Sequence, residues 1–232
     1  MTDAVNTIPI KPAGAPVVKR RLADRDRLEA DIVAIAVRVF ADSGYEGASI
    51  ASVAAQAGLS KQNLMYYFPT KQALYQRVLD DVLDDWLARM DQLAGEAAAQ
   101  PADLLRAYIH AKLRFSREQP HASRVYALEV ISGAPLYGEQ IRRRVVPLVH
   151  KDIAVFERWI ADGRIAAVNA THLLFAIWAM TQSYADSAAQ MALVLEHTLD
   201  EQDFIDAENM IVDMVMRAVA LPPATSQGTP HA

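Results

Sequence analysis

Apolar side chains recur every three or four residues from Arg21 almost to the end of the chain, and no segment shows the alternation typical of a strand. This period gives each helix one apolar stripe, so the sequence predicts an all-α protein of amphipathic helices. Hydrophobic residues make up 52% of the 232 residues, which is enough for a sizeable core and too much for a disordered chain. The longest strongly apolar stretch, at 173–180, is far shorter than the roughly 18 residues of a membrane span, so we expect no membrane association.

The chain contains no cysteine, which excludes disulfides, thiolate metal sites and a cysteine nucleophile. Its first 30 residues lack the continuous apolar run of a secretory signal, so we expect a cytoplasmic protein. The histidines do not have the spacing of metal ligands, and the sequence has no phosphate loop, dinucleotide-binding fingerprint or catalytic triad. We therefore predict no catalytic residues, no cofactor and no metal.

Helix-breaking residues divide the chain into four parts. Residues 1–21 contain three prolines and several basic side chains and are expected to form a flexible basic arm. Three helices are expected over 22–70, the first of them beginning near Arg25, and longer amphipathic helices over 71–221. A disordered tail is expected over 222–232. The net charge is −5, but the first 75 residues carry +2 and the rest −7, which favours a polyanion as partner of the N-terminal part.

Two short helices are predicted over 50–57 and 61–67, with Ser49 and Ser60 as their N-caps. Gly58 between them lets the chain reverse direction. Two short helices joined in this way form a helix-turn-helix, in which the second helix enters the major groove of DNA.

Polar side chains on these helices are suited to contact DNA. Lys61, Gln62 and Asn63 lie on the first turn of the second short helix, where amides can pair with adenine and an ammonium with guanine or phosphate. The hydroxyl and ammonium groups at helix ends suit phosphates. Two tyrosines on one short helix cannot both be buried, so we expect at least one of them to contact a phosphate. The predicted phosphate contacts are Ser49, Ser60, Tyr66, Tyr67 and Lys71.

The run at 44–74, GYEGASIASVAAQAGLSKQNLMYYFPTKQAL, resembles the DNA-binding domain of the TetR family of bacterial repressors. The resemblance covers residues 22–72. It implies a homodimer that holds a near-palindromic operator and releases it when a small ligand binds. Two recognition helices must then reach successive major grooves.

Two further runs, at 116–136 and 172–186, resemble one subgroup of that family, in which uracil or thymine enters a cavity of the helical core. The resemblance implies that Trp86, Trp178 and Gln182 bind the effector. An indole face can stack on a flat pyrimidine, and an amide offers a donor beside an acceptor. Judged by spacing alone, both tryptophans would more commonly be core residues.

Other functions stay open at this stage. A repressor of the same family could take a purine, an amino acid or a lipophile. An all-α enzyme could use the cavity with Glu129 or Asp186 as acid or base, although nothing pairs these carboxylates with a nucleophile. An architectural DNA-binding protein would bind no ligand.

The last two helices, expected over 171–197 and 201–220, are predicted to form a four-helix interface with a second copy. One chain is not expected to cover all the apolar residues that they carry at helical spacing: Leu173, Ile177, Leu193, Ile211, Met214 and Val215.

Overall fold

The computed structural model describes the backbone of residues 15–90 and 100–221, and the side chains of 23–88 and 100–221. Over these ranges the chain is helical and contains no strand, which confirms the expected fold class. The elements are α1 (Ala15–Gly47), α2 (Ile50–Gln56), α3 (Lys61–Tyr67), α4 (Lys71–Met90), α5 (Pro101–Glu118), α6 (Pro120–Ile131), α7 (Gly138–Gln140), a π-helix (Ile141–Val145), α8 (Val146–Ala161), α9 (Ala170–Asp186), α10 (Ala188–Leu195) and α11 (Glu201–Val219).

Helix α1 begins at Ala15, well before the expected start near Arg25, so residues 15–21 of the predicted arm are helical. Pro16 lies in the first turn, where a missing N–H breaks no hydrogen bond, and it therefore does not prevent a helix. Gly44 interrupts the helix with φ 67° and ψ 175°, a conformation with positive φ that glycine adopts without a Cβ penalty. The rest of the predicted arm, 1–14, and the predicted tail, 222–232, lie outside the described residues.

The two predicted caps of the helix-turn-helix are confirmed. Ser49 Oγ accepts from the backbone N–H of Ser52 at 3.0 Å, and Ser52 Oγ accepts in turn from the backbone N–H of Ser49. Ser60 Oγ accepts from the backbone N–H of Asn63 at 3.1 Å. Gly58 makes the turn between α2 and α3 with φ 66°. These local bonds explain why two seven-residue helices form at these positions.

The buried apolar side chains form two clusters. The first joins α1 to α4 with α6 and includes Phe40, Leu64 and Val125. The second joins α5, α8, α9 and α11. Trp86 packs against both clusters, so it lies where the DNA-binding part meets the rest of the molecule. Because α4 shares this first cluster with α1, α2 and α3, a movement of α4 would displace the helix-turn-helix.

The single helix expected over 171–197 is two helices, because the chain leaves helical geometry at Ser187. Asn169 caps α9 by accepting from the backbone N–H of His172 at 3.0 Å. A π-helix comes just before α8, and Pro147 lies in the first turn of α8.

Candidate DNA-binding surface and effector cavity

The first turn of α3 presents three exposed polar side chains, those of Lys61, Gln62 and Asn63. The backbone beneath them is fixed by the Ser60 cap, and Leu64, which is fully buried, anchors the helix to the core. Major-groove recognition requires polar side chains of this kind on an exposed helix N-terminus whose backbone is fixed.

The two tyrosines of α3 differ in exposure, as expected from the length of the helix. Tyr66 is 72% exposed and Tyr67 is half-buried. Their rings meet edge to face with 5.5 Å between centroids. The guanidinium of Arg25 lies over both rings, 5.8 Å from one centroid and 6.0 Å from the other. Arg25 thus adds a cation to this surface that the predicted set of contacts did not include.

Lys71 has a structural role that the sequence did not reveal. Its ammonium donates to the carbonyl oxygens of Tyr45, at 2.8 Å, and Ala48, at 3.3 Å, and lies 4.3 Å from the centroid of the Tyr45 ring. These contacts hold the turn between α1 and α2. Contact of Lys71 with a phosphate stays a prediction, as do the phosphate contacts of the two capping serines.

A small cavity lies between α4, α5, α6 and α9. The space open to the centres of water molecules is about 30 Å³, enough for two or three waters at roughly 10–15 Å³ each. Trp86 and Gln182, two of the three predicted effector-binding residues, meet at this cavity. Its lining residues are Val82, Leu83, Trp86, Lys112, Phe115, Ser116, Ser123, Tyr126 and Gln182.

Trp178, the third predicted effector-binding residue, is not one of these lining residues. Its indole N–H donates to Tyr108 Oη at 2.7 Å, and its ring lies 5.7 Å from the Lys112 ammonium. The Trp178 ring therefore faces the Lys112 ammonium, and direct contact of Trp178 with an effector stays a prediction.

Lys112 is a site residue that the sequence reasoning missed. Its side chain is 6% exposed, and its ammonium lies 5.0 Å from the centroid of the Trp86 ring. Burial lowers the pKa of Lys112 to about 8, and the charge of Asp186 opposes this shift. A signal was present in the sequence, because Lys112 stands in the apolar stripe of α5, four residues after Tyr108 and three before Phe115.

Asp186 adds a carboxylate near the cavity. Ser123 Oγ donates to it at 3.2 Å. Burial raises the pKa of Asp186, although hydrogen bonds from Ser123 and Gln182 and the charge of Lys112 oppose the shift. Ser116 Oγ donates to the Thr181 carbonyl oxygen at 3.0 Å. The polar side of the cavity is therefore held in place by bonds among its own members.

Glu129, considered from the sequence as a possible acid or base in the cavity, does not line it. The carboxylate is 2% exposed and accepts from the backbone N–H groups of Leu136, at 2.7 Å, and Tyr137, at 2.8 Å. It also accepts from Tyr75 Oη at 3.1 Å. Burial and the neighbouring Glu129 raise the pKa of Tyr75, which stays neutral. Glu129 thus ties the loop after α6 to α4.

Charged side chains hold α4 to its neighbours. Arg77 pairs with Asp81 at 2.7 Å and with Glu29 of α1. Arg144 pairs with Asp80, at 3.3 Å, and with Asp84. Tyr137 Oη donates to Asp80 at 2.5 Å. Arg77 therefore joins α4 to α1, and Asp80 and Asp84 join α4 to the π-helix.

The six residues expected to form the dimer interface differ in burial, and Leu173 is half-buried. Ile177, Ile211 and Val215 are buried within the chain, so their assignment to the exposed surface was wrong. Leu193, at 82%, and Met214, at 51%, are exposed as predicted. The exposed apolar face of α9, α10 and α11, called here the rear face, consists of Phe175, Leu193, Val194, Leu195, Met210 and Met214.

One group of possible metal ligands occurs among the described residues: His197, Asp200 and Asp203 each place one ligand atom within 4.8 Å of the others. Both carboxylates already serve the capping box of α11. Capping explains their proximity without an ion. In the ranges that the structure covers, no helix is long and apolar enough to cross a membrane.

The fold and these two sites define a class of protein: a helix-turn-helix DNA-binding unit joined to a helical part with an internal cavity. The family of bacterial regulatory proteins called tetR matches residues 32–78, and the C-terminal region of YcdC-like proteins matches 79–222. The chain belongs to the TetR family. It is a ligand-responsive transcriptional regulator and not an enzyme. Regulators of this family bind operator DNA and small-molecule effectors, typically as dimers.

Known relatives agree with this assignment. The HTH-type transcriptional regulator RutR of Escherichia coli (strain K12) is 37% identical over 188 residues, 81% of this chain and 86% of RutR. The HTH-type transcriptional activator FasR of Mycolicibacterium smegmatis is 32% identical over 55% of this chain and 58% of its own length.

Solved structures share the fold at lower identity. AibR in complex with isovaleryl coenzyme A and operator DNA has a TM-score of 0.63 at 21% identity, covering 83% of this chain and 98% of AibR. The ketosteroid regulator KstR2 of Mycobacterium tuberculosis has a TM-score of 0.68 at 15% identity, covering 84% of this chain and 95% of KstR2.

Proposed function

We propose that this chain is a repressor that binds uracil, thymine or a related pyrimidine in the cavity between α4, α5, α6 and α9, and that the ligand lowers its affinity for operator DNA. The observation that carries the proposal is the meeting of Trp86 and Gln182 at one cavity. The similarity to RutR over 81% of the chain supports it. The protein would act in the cytoplasm and control genes of nucleobase catabolism.

Each cavity residue has a role in this proposal. The Trp86 ring stacks on the flat pyrimidine. Gln182 pairs with an adjacent N–H and C=O on the ring edge, since its amide carries both a donor and an acceptor. Ser116 Oγ already donates its proton to Thr181, so it can accept a hydrogen bond from the ligand.

The size of the cavity suggests how binding is coupled to DNA release. The space of about 30 Å³ holds only two or three waters, so a pyrimidine ring requires the surrounding helices to separate. Trp86 is carried by α4, which shares its core with α1 to α3. A ligand that binds the expanded arrangement better shifts the population away from the arrangement that fits the operator.

The DNA-binding surface is proposed to act through two sets of side chains. Lys61, Gln62 and Asn63 read base edges, and the hydroxyl and ammonium groups around them contact phosphates. The rear face is proposed to pair two copies, because an exposed apolar surface of this kind favours a self-complementary interface. The proposed phosphate contacts are Ser49, Ser60, Tyr66, Tyr67 and Lys71.

Calorimetry with uracil, thymine, cytosine and xanthine tests the ligand. A ring of about eight non-hydrogen atoms at about −0.7 kcal/mol each gives an affinity in the micromolar range. The Gln182→Leu variant keeps most of the side-chain volume and is expected to lose uracil binding. The matched control is Gln202→Leu, at an exposed glutamine of α11. Binding of a purine without any uracil signal would overturn the pyrimidine assignment and leave the DNA role standing.

A further inference from the structure

A buried lysine in the cavity differs from the other polar lining residues in the hydrogen bonds it can make. Lys112 projects from α5, and its ammonium faces the rings of Trp86, at 5.0 Å, and Trp178, at 5.7 Å. An ammonium has three N–H donors and no acceptor. Aromatic faces stabilise its charge but are not ordinary hydrogen-bond acceptors. The ammonium therefore keeps donors for a molecule that enters the cavity.

We infer that Lys112 determines the chemical class of the effector, by donating to an oxo group of the bound ring. The site would then select pyrimidines with a carbonyl oxygen at that position and reject those with an amino group there. This inference rests on the proposed function, and it assigns a specificity role to a residue that the sequence did not single out.

The other polar groups of the cavity explain why this role falls to Lys112. Gln182 donates one amide N–H to Asp186. Its amide still offers a second N–H and an acceptor oxygen, so it can pair with either a C=O or an N–H and does not by itself distinguish oxo from amino groups. Lys112 has no such freedom, because an amino group facing it would set donor against donor. A ligand whose amino group faces the ammonium leaves donors unpaired on both sides. This lowers its affinity more than the loss of one attractive contact would.

The serines complete a matching pattern. Ser116 Oγ donates to Thr181, and Ser123 Oγ donates to Asp186, so both oxygens present lone pairs and can accept. A donor-only lysine near two accepting hydroxyls complements a ring edge that carries a C=O next to an N–H. Uracil and thymine carry such edges on both sides of the nitrogen between their two carbonyl groups.

The test compares three rings: uracil, cytosine with an amino group at position 4, and isocytosine with an amino group at position 2. Each amino analogue also lacks the hydrogen on one ring nitrogen beside its amino group. Whichever oxo group faces Lys112, one of the two analogues places an amino group there. Calorimetry is done on the parent dimer, on Lys112→Met and on Lys151→Met, a control at an exposed lysine of α8.

The parent is expected to bind uracil at least tenfold more tightly than one of the two analogues. Lys112→Met is expected to lose roughly 10- to 100-fold in uracil affinity, the range of a hydrogen bond to a charged group. Its preference for uracil over that analogue is expected to fall at least threefold below that of the parent, with a remainder from the ring N–H that the serines accept, while Lys151→Met behaves like the parent. Thermal unfolding of each variant checks that the fold is intact.

A second variant covers the case in which Lys112→Met does not fold. Lys112→Gln can present either a donor or an acceptor, so it is expected to bind uracil and the amino analogue with similar affinity. Unchanged uracil affinity and unchanged preference in the Lys112 variants would overturn the inference while the pyrimidine function stands. Absence of uracil binding to the parent would overturn the proposed function and this inference together.

Discussion

The DNA-binding surface and the effector cavity differ in how their polar side chains are held. On α3 the helix is fixed by the Ser60 cap and the buried Leu64, and the polar side chains themselves extend freely into solvent. In the cavity the polar side chains are held by one another, as where Ser123 donates to Asp186. A surface that meets DNA obtains its partners from the DNA, whereas buried polar groups need partners within the protein because an unpaired one is costly.

This difference has consequences for mutation. Substitution of Lys61, Gln62 or Asn63 should change DNA binding and leave the fold intact, because these exposed side chains do not pack into the core. A substitution in or near the buried polar groups should change stability as well as binding.

The largest effect is expected at Glu129, whose buried carboxylate accepts three hydrogen bonds. Glu129→Leu leaves two backbone N–H groups and the Tyr75 hydroxyl without their acceptor, and is expected to lower the free energy of unfolding by about 3 kcal/mol or more. Denaturant titration measures this change. Glu129→Gln keeps an acceptor oxygen and should cost clearly less; equal losses in the two variants would contradict the role assigned to the carboxylate.

On the DNA side, Lys61→Ala, Gln62→Ala and Asn63→Ala are each expected to weaken operator binding by roughly 1–3 kcal/mol where the contact is bidentate to a base. The melting temperature, dimer mass and uracil affinity should stay at parental values. Fluorescence anisotropy with labelled operator at fixed salt gives the affinities, and Lys151→Ala on the exposed side of α8 is the control. Parental operator affinity in all three variants would show that α3 is not the recognition helix.

Lys112 should make stability depend on pH in a particular direction. Its pKa in the folded protein is about 8, below the ordinary lysine pKa of 10.5, because burial disfavours the charged form. The unfolded chain therefore binds more protons between these values, and stability rises with pH across this window. The gain is at most about 1.4 kcal/mol per pH unit. Below pH 8 both states are protonated and the buried charge is a constant cost.

Comparison with Lys112→Met isolates this contribution, because Asp186 and the neutral Tyr108 and Tyr126 are common to both proteins. Between pH 7 and pH 9.5 the variant is expected to have the higher free energy of unfolding. Its advantage over the parent is expected to shrink by about 1–2 kcal/mol above pH 8. A difference that stays constant over this range would mean that the lysine is not buried as a cation.

The sequence predicted the caps and the turn of the helix-turn-helix better than the lining of the cavity, for a physical reason. Ser49, Gly58 and Ser60 act on backbone groups within a few residues of themselves, so their roles follow from local spacing. Lys112 and Glu129 act on groups that are distant in sequence, such as Trp178 and Tyr75. Spacing places such residues on a helix face but does not identify their partners.

Two of the wrong predictions about helices have physical reasons as well. Pro16 and the other arm prolines suggested a flexible segment, yet a proline in the first turn is compatible with a helix. The burial of Ile177 and Ile211 depends on how α9 packs on α5 and α11, since an apolar stripe serves the core of one chain as well as an interface between two.

The smallest expected effect separates the two roles of Ser60, which caps α3 and is also proposed to contact a phosphate. Ser60→Ala removes the cap and is expected to lower the free energy of unfolding by about 1 kcal/mol. Ser60→Asp keeps an accepting oxygen and favours the helix N-terminus, so its stability should match the parent. The new carboxylate would repel a nearby phosphate, however. Operator affinity should therefore be lower than that of the parent at low salt, and the difference between the two proteins should shrink at high salt. Parental operator binding by Ser60→Asp at low salt would leave Ser60 with its capping role alone and remove it from the DNA contacts.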